Sequence, residues 1–140
     1  MLVLIEGGVK ARVDKNKADV AQLLDRLQSG QFLTEETFAG LDADRYLDER
    51  EQSPFDEQWM EAFRRWGQDA ETENDDDNES DAGREAAFKQ TFRHTGNPDL
   101  AGYVSDDIGL ICSTLKRGGG EDPFILDLLR GYMEGRLPLR

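Results

Sequence analysis

One histidine, His94, and one cysteine, Cys112, stand in 140 residues, and those two shortages exclude more chemistry than any motif present suggests. A lone cysteine cannot close an intramolecular disulfide, and inside the apolar run around Ile108, Ile111 and Leu115 it reads as a buried, inert thiol in a reducing, cytoplasmic setting. A single histidine leaves no pair for a zinc site, and any Ser-His-Asp or Cys-His device would have to use His94. Long hydrophobic runs are missing too. The opening MLVLIEGG is apolar for only five positions and has no basic flank, too short for a signal sequence or a membrane span, so no membrane association is expected. Lysine and arginine are scarce relative to acid, 17 against 30, and the few basic clusters (Lys10, Arg12, Lys15, Lys17 and Lys116-Arg117) argue against direct nucleic-acid binding.

What is abundant is carboxylate, and its distribution is uneven. Residues 69–81 hold eight acids in thirteen positions: Asp69, Glu71, Glu73, Asp75, Asp76, Asp77, Glu79 and Asp81. Taking these eight from the 30 acidic residues leaves 22 against 17 basic, so the formal charge falls from −13 to −5. Such a segment buries too little apolar area to offset its ordering entropy, and it reads as a flexible acidic loop tethering a first helical half, 14–68, to a second, 82–140. A calcium loop starting at Asp75 fails, because Ser80 stands where glycine is required and Ala86 where glutamate is required. The length suits a single domain, 1–140, with one core.

Three of the four prolines follow a capping residue, in Ser53-Pro54, Asn97-Pro98 and Asp122-Pro123. Each pair predicts a helix start, with the polar side chain at the N-cap and proline at the first helical position. Phe55, Trp59, Phe63 and Trp66 follow the first at helical spacing, which favours core packing over a stacking platform for a ligand. Ile125, Leu128, Leu129, Tyr132 and Met133 follow the last. After Asn97-Pro98 the apolar period carries Leu100, Tyr103 and Val104, is expected to break at Ser105-Asp106-Asp107, and resumes with Ile108, Ile111, Cys112 and Leu115 before three glycines. Further helices are expected over Val20 to Leu27, over a short stretch from Thr34 and over Arg84 to Thr95, while Leu41 to Arg50 is mixed. Residues 1–13 alternate Val9, Ala11 and Val13 with polar residues after Gly7-Gly8 and read as a β-hairpin. The expected fold is therefore mainly α: a single compact domain of about six helices, a short N-terminal β-hairpin and the acidic loop.

Two acidic groups outside the loop are candidate contact sites. Asp42, Asp44, Asp48, Glu49 and Glu51 form the densest run, diluted by Arg45 and Arg50. Asp106 and Asp107 sit at the expected helix break. Adjacent helical residues point about 100° apart, so this pair does not converge on one ion, and a capping role competes with a site. Neither glycine-rich stretch has the lysine or the strand-to-helix context of a phosphate loop. No metal, cofactor or catalytic constellation is expected. These properties point to a non-enzymatic acidic protein, monomeric or homodimeric, that recognises a basic protein partner, since opposite potentials speed encounter and penalise wrong partners. In size, acidity and lack of a catalytic device the chain resembles the bacterial immunity proteins, which occlude the basic clefts of toxins; no motif carries that resemblance. The alternatives are a nucleic-acid mimic that inhibits a DNA- or RNA-binding protein, and a small enzyme using Asp106, Asp107 and His94.

Overall fold

A computed structural model describes residues 18–30, 33–67 and 77–140. They form seven helices and no strand: α1 (18–29), α2 (Glu35–Phe38), α3 (Ala43–Arg50), α4 (Phe55–Trp66), α5 (Asp77–Thr95), α6 (Pro98–Lys116) and α7 (Pro123–Met133). The expected mainly-α class holds, but the architecture is corrected in two respects. There are seven helices among the described residues rather than about six, and no β element belongs to the described fold. The hairpin assigned to 1–13 lies outside the described residues.

Helix α6 is the axis of the molecule. Asn97 caps it by accepting a hydrogen bond from the Leu100 N–H (3.0 Å), with Pro98 at the first position as the sequence predicts. It then runs without interruption to Lys116, burying Leu100, Val104, Ile108, Ile111 and Leu115. The expected break at Ser105-Asp106-Asp107 is absent, and neither Ser105 nor Asp106 caps a following helix. Ser105 and Asp107 are buried within the helix and Asp106 faces solvent. Polar residues suggested an interruption, whereas Asp107 is in fact tolerated inside because its charge is compensated there. Asp122 caps α7 through its Oδ1, which accepts from the N–H groups of Phe124 and Ile125. Its Oδ2 accepts from the Trp66 indole (3.0 Å), tying the end of α4 to the start of α7. Ser53-Pro54 departs from the pattern: α4 begins at Phe55 with Pro54 at the N-cap, and the Ser53 hydroxyl donates to the Glu57 side chain instead of accepting from the backbone.

The mixed stretch before Arg50 resolves into α3, with Asp42 as N-cap accepting from the Arg45 N–H (3.2 Å). Helix α5 is longer than expected, starting at Asp77. The last part of the expected acidic loop, 77–81, is thus helical, and 69–76 lies outside the described residues. Helix α1 lies close against α5. A Cβ at Gly83 would stand 2.4 Å from Leu24 Cδ2, so the glycine is what permits the approach, and the Gln90 amide donates to the Leu27 carbonyl. The core is one cluster drawing on both sides of 69–76: Leu23, Leu27, Leu33 and Tyr46 from one side, Leu100, Ile108, Ile125 and Tyr132 from the other. Phe88 and Phe92 stay on the surface, stacked on each other 6.3 Å apart, while Ala87 and Thr91 take the inward positions of α5.

Candidate functional site

Helices α3 and α6 pack so that one face of each lines a common groove of about 570 Å³. Helix α3 contributes Asp44, Leu47, Asp48 and Glu51, which follow the i, i+3, i+4, i+7 spacing of a single helical face. Helix α6 contributes Pro98, Asp99, Gly102, Tyr103 and Asp106, the last four at the same spacing. Five carboxylates therefore converge on one concave surface, and no lysine or arginine lines it. The sequence grouped Asp44, Asp48 and Glu51 and set Asp106 apart; the packing of α3 on α6 unites them. Asp99 and Tyr103 were not singled out. Their signal was available, since each lies one helical turn from Asp106 or Gly102, but only the placement of α3 gives that face a partner.

Asp42 and Glu49 belong to the same acidic run yet lie outside the groove. Asp42 is occupied with capping α3, and Glu49 pairs with Arg45 at 3.4 Å on the outer surface. Asp107 is corrected outright as a surface candidate: it is 0% exposed. Arg50 reaches it from α3 as a two-pronged clamp, Nη1 to Oδ2 and Nη2 to Oδ1, both 2.7 Å. The Trp59 indole donates to Oδ1 (2.9 Å) and the Tyr132 hydroxyl donates to Oδ2. Four helices thus meet on one carboxylate. Burial pulls against the charged guanidinium of Arg50, but Asp107 outweighs it and holds Arg50 firmly protonated. Burial, with Asp107 beside it, pushes the Tyr132 phenol well above its usual value and keeps it a neutral donor. Arg50 therefore does not dilute the acidic surface, as its place in the sequence suggested, because its charge is spent inside the protein.

The buried clamp also shapes the groove above it. The Arg50 guanidinium lies 4.9 Å from the centroid of the Tyr103 ring and 5.2 Å from that of Phe55. Tyr103 is held from the other end by its hydroxyl, which donates to Glu51 (3.0 Å) across the groove. Partial burial, then that bond and the Glu51 charge, raise the Tyr103 phenol. Asp106 is raised from its ordinary value first by partial burial and further by Asp107, against the pull of Arg84, whose guanidinium is 3.2 Å away. Asp106 thus stays raised even with Arg84 paired to it.

His94 lies elsewhere. It lines a second groove of about 330 Å³ with Lys89, Arg93 and Gln28, and stacks on Phe38 at 5.9 Å. Asp106, Asp107 and His94 accordingly occupy an acidic groove, the core and a separate surface, and share no pocket. Among the described residues no cluster of histidine, cysteine and carboxylate has metal-binding geometry, and no helix is long and apolar enough to cross a membrane.

No curated protein matches the chain. A family model, that of immunity protein PIM1, matches residues 22–139, from α1 through all of α2 to α7.

Proposed function

The chain belongs to the immunity protein PIM1 family, and from that premise we propose that it neutralises a bacterial toxin by binding it non-enzymatically through the acidic groove between α3 and α6. The observation that carries this reading is the convergence of Asp44, Asp48, Glu51, Asp99 and Asp106 on one concave face without a lining cation. Such a face complements a basic surface, attracts it over several ångströms and repels acidic competitors. Leu47 and Tyr103 supply the apolar and aromatic floor that an interface needs at its centre. Asp42 and Glu49 sit at the rim, where charge affects the association rate more than residence time. Asp107 acts from below, by fixing Arg50 and through it the ring of Tyr103.

The test is an affinity purification from the native cell with the tagged chain as bait, washed at low and then high salt and read by mass spectrometry. A single basic protein retained in near-stoichiometric amount, weakened by salt and lost from the Asp48→Asn/Asp106→Asn variant, is the expected result. Equal retention by that variant removes the groove from the interface, and recovery of no partner removes the toxin-binding reading.

A further inference from the structure

We infer that Gly102 marks the point where the main chain of a basic toxin segment crosses the groove, in contact with α6 itself. This rests on the reading of the groove as the toxin-binding face and adds how the partner sits in it.

The four described glycines within helices have different reasons to be glycine. A Cβ at Gly83 would meet Leu24 Cδ2, one at Gly109 would oblige the half-exposed Arg84 side chain, 2.9 Å away, to shift, and one at Gly131 would come into contact with the Arg136 carbonyl at 3.4 Å, the edge of ordinary van der Waals distance. Gly30, Gly40, Gly96 and Gly118 outside the helices adopt positive φ, where a side chain is strained. Gly102 has neither reason: its φ is ordinary and a Cβ there would find nothing within 4 Å. Glycine in a helix interior weakens the helix relative to alanine, so the free protein loses stability at this position without an internal return. The open volume is the groove, with Gly102 lying between Asp99 and Asp106 along α6. An absent side chain there brings the helix surface within reach of another backbone, the use to which glycine is put where two chains must approach closely. The occupant is basic, because Asp44, Asp48 and Asp99 flank the position with no lysine or arginine lining the groove, and Asp106 adds a fourth carboxylate that Arg84 pairs with from outside it.

The two variants that decide this are Gly102→Ala and Gly102→Leu. A Cβ at this position meets nothing within 4 Å, the groove lies beyond it, and both residues are better helix formers than glycine, so thermal unfolding midpoints should hold or rise. Affinity is measured by surface plasmon resonance against the basic protein recovered by affinity purification with the parent chain as bait. Binding should fall about tenfold for Ala and at least about a hundredfold for Leu, as expected for bulk placed at the packed centre of an interface. Stabilisation joined to weakened binding separates a contact residue from a structural one, which would move both in the same direction. Asp48→Asn/Asp106→Asn is measured alongside. If that pair weakens binding while Gly102→Leu binds like the parent, the Gly102 inference falls and the acidic face stands. If neither weakens it, or no basic protein is recovered with the parent chain, both fall.

Discussion

Asp107 shows how strongly one residue can depend on its surroundings. A carboxylate at 0% exposure is tenable only because Arg50, Trp59 and Tyr132 satisfy both oxygens. Asp107→Ala leaves Arg50 buried and unpaired and should cost about 3–5 kcal/mol in urea-induced unfolding. Replacing both partners, as Arg50→Met/Asp107→Leu, should cost clearly less than the two single changes together. Asp106, its neighbour, behaves oppositely. Its folded pKa is raised, so ionisation works against folding, and the cost is present above the folded value and disappears as pH falls below the unfolded one. Asp106→Asn should therefore raise the thermal midpoint slightly at pH 7 and leave it unchanged in strong acid. If the partner places a cation at Asp106, it favours the ionised form, and affinity should decline as the pH is lowered through the upper carboxylate range, a dependence that Asp106→Asn should flatten.

At the scale of elements, helix ends were the most legible part of the chain and helix partners the least. Asn97 and Asp122 perform the capping that their place before proline predicts, because a cap is a local hydrogen bond within three residues. Asp122→Ala removes that cap together with the bond from Trp66, and should lower stability by about 1–2 kcal/mol in chemical denaturation. Gly83→Ala should cost about 1–3 kcal/mol, since its methyl group meets Leu24 where α1 lies against α5. The expected break in α6 failed for a reason local reading cannot reach. Asp107 sits in register with Leu100, Val104 and Ile111 on the buried face, and only α3, arriving with Arg50, makes a charge acceptable there.

For the whole molecule, the net charge of −13 gives a misleading picture of the surface. Eight of the 30 acidic residues fall in 69–81, while the groove that gathers five others is built from residues as far apart as Asp44 and Asp106. If the folded face carries recognition, a chain with the eight acids of 69–81 replaced by their amides should keep most of its affinity for the toxin. The Asp44→Asn/Asp48→Asn/Asp99→Asn variant should lose roughly tenfold or more in association rate at low salt, and less at high salt where the charges are screened. Stopped-flow association across a salt series measures both.

Composition and period by themselves determined the mainly helical class, the positions of most helix starts, the apolar faces of α1, α4, α6 and α7, and an acidic protein suited to binding. Each of these follows from interactions within a few residues along the chain, or from sums over it. Tertiary packing alone decided that Asp107 is interior, that Arg50 is withdrawn from the surface, and that Asp99, Gly102 and Tyr103 share a groove with Asp44, Asp48 and Glu51. The physical reason is that burial and the pairing of charges depend on which faces meet across about 50 residues of sequence, and no local periodicity records that meeting.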